Sequence, residues 1–310
     1  MTLPDPSSSR QTQLAIKVDV DTDRGTRLGV PALLSLFDEF NIKATFLFSL
    51  GPDNTGRAIR RIFRPGFFRK VARTNVVGTY GLRTLLNGVL WPGPHIGRRN
   101  ESVMRAVRSR GHEVGIHCYD HIRWQDGLAT MAREQVFEEF AKARHEFARI
   151  FGAPAQTAGA AGWQANAHSL AAYDEAGLLY ASDARGVHAF FPRVGATVYH
   201  TLQIPTTLPT LDELLGRPEY PDHRIVAHYL SLLQPSRPNI LTIHAEIEGM
   251  KKLVLFRNLL EQTRQRSIKF HTVKDFAHAL LTERAAIPVC DLIAGEVEAR
   301  SGTLAVQKLA

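Results

Sequence analysis

Cysteine is scarce in this chain of 310 residues, and its scarcity excludes a disulfide framework. Cys118 and Cys290 are the only two, which indicates a reducing compartment. The first 13 residues are polar and lack an apolar core segment, so the sequence predicts no secretory signal peptide. No glycine-rich loop of the dinucleotide-binding or P-loop type occurs, which removes the usual sign of an open, doubly wound nucleotide-binding sheet.

Acidic residues are also absent between Asp53 and Glu101, whereas ten basic residues lie there: Arg57, Arg60, Arg61, Arg64, Arg69, Lys70, Arg73, Arg83, Arg98 and Arg99. The rest of the chain, with 28 basic and 30 acidic side chains, is close to neutral. Such local charge indicates a phosphate-bearing substrate, an anionic membrane surface or nucleic acid, although a solvated basic loop remains an alternative. Nucleic acid is the weakest of these, because no recognition motif accompanies the charge. Arg57, Arg60 and Arg61 are candidate substrate contacts.

Two segments place metal-binding side chains at the ends of strand-like runs. Asp19 and Asp21 alternate at the end of an apolar run, so both carboxylates face the same way. A second apolar run ends at His117, and His121 follows four residues later. Each pattern alone is more often a salt-bridged pair of acids or a surface pair of histidines. Together they predict a catalytic metal centre with open positions, since unpaired buried carboxylates are costly.

Strand-like and helix-like segments alternate along the chain. Predicted strands end near Val20, Ser49, His117, Gly159, Asp183, Ile204, His244 and Thr272. Predicted helices cover residues 27–40, the segment after the N-cap Asn100, and residues 130–151, 166–177, 222–233 and 250–266. The alternation predicts a parallel sheet covered on both faces. Polar residues recur at the carboxyl ends of the strands, which favours a barrel, because a barrel gathers those ends on one rim.

The predicted organisation has three parts. Residues 1–13 form a polar tail, residues 14–282 a barrel domain with a basic and apolar insertion at 54–100, and residues 283–310 a C-terminal tail without an assigned role. The longest charge-free stretch of the insertion, Thr84 to Gly97, has 14 residues and two prolines. It is too short to span a bilayer, which needs about 20 residues.

Three motifs, Val18–Asp21, Gly111–His121 and Leu241–His244, resemble those of the polysaccharide deacetylase (NodB-homology) family of metal-dependent amidohydrolases. The resemblance runs from about Leu14 to Leu281 and implies an α/β fold, a distorted (β/α) barrel of parallel strands with fewer than eight full repeats. Further motifs resemble one branch of that family: Thr45–Phe48, Trp91–Ile96, Ala158–Trp163 and His244–Gly249. That branch deformylates 4-deoxy-4-formamido-L-arabinose linked to undecaprenyl phosphate, in lipid A modification and polymyxin resistance.

The resemblance implies a role for each matching residue. Asp21, His117 and His121 would bind one divalent ion, for which zinc, cobalt and manganese are all suitable. Asp19 would be the general base and His244 the general acid, with Asp183 orienting that histidine. Members of the family usually carry an arginine that steers the base, in the family's third motif along the chain. Here that third motif corresponds to Ala158–Trp163, which contains no arginine.

Two further residues are candidate substrate contacts. Trp163 would stack on a sugar face, or else is a packed core indole. Glu246, just past His244, would take part in the site, or else is a surface carboxylate.

The same resemblance implies a lipid-linked sugar substrate and a peripheral position on the cytoplasmic side of the bacterial inner membrane. It indicates no obligate protein partner. Five apolar residues of the insertion follow helical spacing and would form, with Trp91, a stripe suited to an anionic membrane surface: Leu82, Leu85, Leu86, Val89 and Leu90. Alternatively, the stripe packs on the barrel or forms an oligomer contact. Two other functions stay open: an N-deacetylase acting on another N-acylated glycan, and a non-catalytic barrel that binds a lipid phosphate.

Overall fold

Parallel strands alternate with helices in the computed structural model, which describes residues 11–58, 84–89 and 91–309. The strands are β1 (Gln13–Val20), β2 (Thr45–Ser49), β3 (Glu113–Cys118), β4 (Thr157–Ala158), β5 (Tyr180–Ala181), β6 (Phe191–Val194), β7 (Thr197–Val198), β8 (Leu202–Gln203), β9 (Asn239–His244), β10 (Lys269–His271), β11 (Val289–Gly295) and β12 (Leu304–Lys308). The α-helices are α1 (Val30–Phe40), α2 (Ile96–Arg99), α3 (Glu101–Ser109), α4 (His121–Gly127), α5 (Arg133–Phe151), α6 (Ala167–Ala176), α7 (Leu211–Leu214), α8 (Asp222–Leu232), α9 (Leu253–Gln265) and α10 (Val273–Leu281).

The main sheet is a parallel barrel, as predicted. Its order is β8-β5-β4-β3-β2-β1-β9, and β10 pairs with the first residues of β1. The two outer strands, β8 and β9, come together through the segment after β8. The backbone N–H groups of Thr207 and Leu208 both donate to the carbonyl of Ile240, at 3.2 Å, and Ile240 N donates to Thr207 Oγ1 at 2.9 Å. These bonds link the ends of the curved sheet.

Strand β1 shows why its polar residues point inward. Val18 and Val20 belong to the large apolar cluster that also contains Phe37 of α1 and Phe256 of α9. Side chains alternate along a strand, so Lys17 and Asp19 face the opposite way, into the barrel. Both are buried there, with 1% and 2% of their surface exposed. The alternation of apolar and charged residues in β1 therefore directs the apolar side chains toward the surrounding helices and the charged side chains into the barrel.

Most predicted elements lie where the sequence placed them, with two exceptions. Asn166 caps α6 through its side chain, as expected, and Gly177 ends that helix in the left-handed conformation. Asn100 precedes α3 as predicted but does not cap it, because its side-chain amide donates to Asp23 Oδ1 and Ile96 O instead.

The second exception is the predicted strand from 197 to 204, which was wrong. It divides into β7 and β8, which belong to different sheets. The carboxylate of Asp174 accepts hydrogen bonds from the backbone N–H groups of His200 and Thr201, at 2.7 to 3.0 Å. Because those groups are bound to a side chain, they cannot join a strand ladder, and the chain bends between the two sheets.

The C-terminal segment forms part of a second sheet. Its strands β11 and β12 join β6 and β7 in the order β12-β11-β6-β7. The connection between them carries Arg300 to the barrel, where its guanidinium donates to Glu213 Oε1, Asp212 Oδ1 and Thr210 Oγ1. The described part of the C-terminal segment, residues 283–309, therefore covers one side of the barrel, whereas the sequence assigned the segment no role.

The described parts of the insertion attach to the barrel by short polar contacts. Asn54 Nδ2 donates to Asp120 Oδ2 at 2.6 Å, and Asp53 N donates to Pro94 O at 2.9 Å. Val89 and Trp91 are half exposed. Leu82 and Leu90 of the predicted stripe lie outside the described residues, and residues 84–86 form a single 3₁₀ turn. Among the described residues, no helix combines the length and the apolar character needed to cross a membrane.

We predict that Arg300→Met destabilises the fold by on the order of 3 kcal/mol, because it leaves the buried Asp212 and Glu213 with too little positive charge. The matched control is Arg193→Met, whose ion pair with Asp291 is exposed and screened by water, so its loss should change the stability little. Urea unfolding followed by circular dichroism measures both. Equal midpoints for the two variants would contradict the structural role given to Arg300.

Candidate metal centre

Three side chains from separate parts of the sequence converge at the carboxyl end of the barrel. Asp21 follows β1, His117 lies in β3, and His121 is the first residue of α4. Asp21 Oδ1 lies 3.3 Å from His117 Nε2 and 3.5 Å from His121 Nε2. Among the described residues, these three form the group whose ligand atoms, all within 4.8 Å of one another, could hold a metal ion.

A neighbouring carbonyl orients the imidazole of His117, and the capped start of α4 fixes the backbone of His121. His117 Nδ1 lies 2.6 Å from the carbonyl oxygen of Gly159, which can only accept, so Nδ1 carries a proton and Nε2 is the ring nitrogen that would bind a metal, in the neutral form of the imidazole. This hydrogen bond is the usual outer partner of a metal-binding histidine. His121 is placed by the start of α4, where the carboxylate of Asp120 accepts from Arg123 N at 3.0 Å.

The electrostatics of Asp21 suit a cation. Burial alone would raise the pKa of Asp21, but His121 and His117 hold that pKa well below its ordinary value. Its Oδ1 is buried and accepts no hydrogen bond from the described residues. A buried charged oxygen without a donor is costly. One carboxylate and two imidazoles fit a divalent ion such as zinc, cobalt or manganese, with positions left open for water and substrate.

Asp19 and His244 lie side by side next to this group. They are register partners in the parallel strands β1 and β9, and Ala245 N donates to Asp19 O at 3.0 Å. Asp19 Oδ1 and His244 Nδ1 are both buried and have no hydrogen-bond partner among the described residues. An acceptor and a titratable nitrogen are therefore both available at the rim.

Glu246 is buried beneath the loop that carries Asp21. Its Oε1 accepts from Thr22 Oγ1 at 2.7 Å, Thr22 N at 2.9 Å and Asp21 N at 3.2 Å. Burial and the charge of Asp21 raise its pKa well above the ordinary value. The surface-carboxylate interpretation was wrong, because 1% of Glu246 is exposed. Its described contacts give it a supporting role for the loop.

Trp163 is a packed indole. Its exposed fraction is 2%, and Nε1 donates to Thr206 Oγ1 at 3.1 Å. Three cations lie near its ring, Arg300 at 4.4 Å, Lys17 at 5.4 Å and Arg185 at 5.5 Å. The ring of His244 lies 6.4 Å away, nearly perpendicular to the indole. The core interpretation fits these contacts, since so buried a ring offers no face to a sugar.

Asp183 does not contact His244 as the resemblance implied. Its Oδ1 accepts from Ala160 N at 2.6 Å and its Oδ2 from Gln203 Nε2 at 2.9 Å. Burial raises the pKa of Asp183 to about 6, and these two donors limit the rise. Both carboxylate oxygens are therefore already bound on the side of β4 and β8, and His244 Nδ1 has no described partner.

The remaining candidate contacts are the three arginines of the insertion. Arg57 is exposed, and its Nε donates to Gly88 O at 3.1 Å. Arg60 and Arg61 lie outside the described residues.

Sequence reasoning did not single out Lys17, whose buried side chain lies beside Asp19. The available signal was its position two residues before Asp19 in an otherwise apolar run, which places both side chains on one face.

Comparison with known proteins gives consistent results. A family model described as polysaccharide deacetylase matches residues 17–181. A Shewanella sediminis protein named as a probable 4-deoxy-4-formamido-L-arabinose-phosphoundecaprenol deformylase is 36% identical over 301 residues, which cover 97% of this chain and 96% of that protein. A Wigglesworthia glossinidia brevipalpis protein of the same name is 32% identical over 286 residues, covering 92% of this chain and 98% of that protein.

Solved structures agree on the fold. A probable polysaccharide deacetylase from Pseudomonas aeruginosa PAO1 superposes with a TM-score of 0.59 at 16% identity, over 90% of this chain and 93% of that one. Puue allantoinase superposes with a TM-score of 0.57 at 16% identity, with the same two coverages. At these identities the likeness shows the fold alone.

We predict that His117→Ala and His121→Ala each weaken binding of a divalent ion at least about 10-fold, since loss of even an outer partner costs about 10- to 100-fold. The control is His145→Ala, which changes an exposed histidine of α5. Metal analysis after dialysis, together with circular dichroism to confirm folding, measures the effect. A folded variant with full metal content would exclude the substituted histidine as a ligand.

Proposed function

This chain belongs to the polysaccharide deacetylase family of amide-hydrolysing enzymes, and from that premise we propose that it is a metal-dependent deformylase. Its substrate is 4-deoxy-4-formamido-L-arabinose linked to undecaprenyl phosphate, and its products are formate and the lipid-linked amino sugar. One observation carries this choice of substrate: 36% identity to a protein named for that reaction, across 97% of the chain. The proposed cellular process is lipid A modification, which confers resistance to polymyxin.

Asp21, His117 and His121 are proposed to hold the ion. When bound, a divalent ion polarises the amide carbonyl and makes a water molecule more acidic. Asp19 is proposed as the general base that takes the proton of the attacking water. Its free, buried Oδ1 supports this role, because an oxygen that already accepted hydrogen bonds would be a weaker base.

His244 is proposed as the general acid. Cleavage of the formamide leaves the sugar nitrogen with a lone pair that must gain a proton, since an amide anion is a very poor leaving group. The unpartnered Nδ1 of His244 and its place beside Asp19 in the sheet support this assignment. Asp19 takes one proton from the attacking water, whose hydroxyl becomes part of formic acid, and His244 gives one proton to the sugar nitrogen. A proton then returns from Asp19 to His244 before the next turnover, so the net transfer is from water to the amine.

The basic insertion suggests where the enzyme works. A polyprenyl phosphate stays in the bilayer, so the rim of the barrel must approach the membrane surface. We propose that the insertion attaches the protein peripherally to the cytoplasmic face of the bacterial inner membrane. The ten basic residues of the insertion and the exposed Val89 and Trp91 beside them support this position, since such groups suit an anionic interface.

The direct test uses a synthetic polyprenyl phosphate that carries the formamido sugar. Purified protein loaded with zinc, cobalt or manganese should release formate from it. The acetamido analogue, assayed in parallel for acetate, distinguishes the alternative N-deacetylase. Faster acetate release than formate release would replace the proposed substrate. Metal binding with neither product would favour the non-catalytic lipid-phosphate-binding alternative.

We predict that Asp19→Asn and His244→Ala each reduce kcat by about 100-fold or more, because each removes a proton-transfer group. Both variants should keep their metal, since neither residue belongs to the proposed ligand set. The controls are Asp222→Asn and His145→Ala, which change exposed residues. Single-turnover formate release measures the rate. A variant within a few-fold of wild type would lose its assigned role.

Membrane attachment is tested by sedimentation with liposomes. Binding should require anionic lipid and weaken with salt, since each Lys or Arg near an anionic leaflet contributes roughly 1 kcal/mol. It should fall when Arg57, Arg60, Arg61, Arg64 and Arg69 are replaced by Ala. The matched control replaces five exposed arginines elsewhere, namely Arg133, Arg144, Arg224, Arg264 and Arg266. Equal loss from both sets would indicate net charge alone and overturn attachment through the insertion.

A further inference from the structure

The proposed base lacks the partner that the third motif would supply. The segment Ala158–Trp163 contains no arginine. Its polar contacts near the site are Gly159 O, which accepts from His117 Nδ1, and Ala160 N, which donates to Asp183. A general base must be held at a fixed angle to the water it deprotonates, because small displacements cost large factors in rate. Another group must therefore fix the carboxylate of Asp19.

Lys17 is in the right place for this task. Its Nζ lies 3.7 Å from Asp19 Oδ2 and donates to the carbonyl oxygen of Ser182 at 3.1 Å. The same Nζ lies 5.4 Å from the centre of the Trp163 ring. These contacts hold the ammonium from β1, from the residue after β5 and from the third motif at once.

The burial of Lys17 indicates that its position is specific. An exposed fraction of 1% means that the ammonium has left water, which is costly unless charges and acceptors compensate. Burial lowers the pKa of Lys17 and Arg185 adds to this, whereas Asp19 and Asp183 oppose the change because they favour the charged form. A lysine that served only to fill space could be replaced by a methionine without this cost.

We propose that Lys17 is the positioning residue for Asp19 and takes the place of the third-motif arginine. Its ammonium engages Oδ2, which leaves Oδ1 of the same carboxylate free to accept the proton of water. Lys17 and Asp19 lie two residues apart on β1, so their side chains are on the same face and their pairing does not depend on the conformation of the loops at the rim. This inference rests on the proposed function of Asp19 as the base.

A double-mutant cycle tests the proposal on the full-length, metal-loaded protein. Lys17→Met should lower kcat by on the order of 10- to 100-fold, with KM and metal content near wild type. Lys17→Arg keeps a cation and should retain more activity than Lys17→Met. The control is Lys142→Met, a lysine of α5 whose ammonium reaches the surface, and it should leave kcat unchanged.

The decisive comparison uses the Asp19→Asn background. If Lys17 acts through Asp19, adding Lys17→Met to Asp19→Asn should change the residual kcat by less than about 3-fold, because coupled residues are not additive. A further 10-fold loss would show that Lys17 acts independently and would overturn the proposal. If Lys17→Met alone fails to fold, the comparison of Asp19→Asn with and without Lys17→Met still tests the proposal. In that background the Asp19 carboxylate, which Lys17→Met would leave without its cation, is replaced by an uncharged amide.

The substrate proposal is tested separately in the same experiment. Wild-type protein that releases acetate instead of formate contradicts the deformylase assignment, and the cycle is then measured on acetate release. The expected coupling between Lys17 and Asp19 is the same for either amide, since it concerns the water and not the acyl group.

Discussion

The pairing of β1 with strands on both sides is the constraint on which the site depends. Asp19 is the register partner of Leu47 in β2 and of His244 in β9, although His244 lies 225 residues later in the chain. A slip of one residue would turn Lys17 and Asp19 toward the helices and bring Val18 into the barrel. Close backbone contacts oppose such a slip. A Cβ atom at Gly29 would lie 2.0 Å from the carbonyl oxygen of Ala245, so only glycine allows the helical turn before α1 to meet the residue after β9.

The barrel interior balances its charges locally. The carboxylates of Asp19 and Asp183 both act electrostatically on Lys17, while Asp21 faces two imidazoles. Arg185 and Arg300 compensate Glu213. Glu246 differs from these carboxylates, because burial and the charge of Asp21 raise its pKa and so favour its neutral form. Burial penalises each charge, so the arrangement is stable only when every carboxylate has a cation, a donor or a proton.

The sequence predicted the positions of functional residues where these residues are part of a local pattern. Asp21, His117 and His121 follow apolar runs, and parallel strands bring such residues to one rim, so their convergence was predictable. The second sheet was not, because β6 pairs with β11 about a hundred residues later in the chain, and no local pattern connects the two strands. The orientation of Asp183 depends on Gln203, which no local pattern connects to it. Lys17 was overlooked since a lysine in an apolar strand resembles a surface residue until the covering layers are known.

The hairpin that carries Arg300 affects how the protein is completed during synthesis. Strand β11 pairs with β6, about a hundred residues earlier, and such distant pairings form slowly. Asp212 and Glu213 are synthesised long before Arg300, which pairs with both of them. A nascent chain that ends before Arg300 already contains Asp21, His117 and His121, but not the cation that packs closest on Trp163 beside His244. The proposed metal ligands therefore precede Arg300 in synthesis, whereas the surroundings of the proposed acid are complete only after Arg300 has been added.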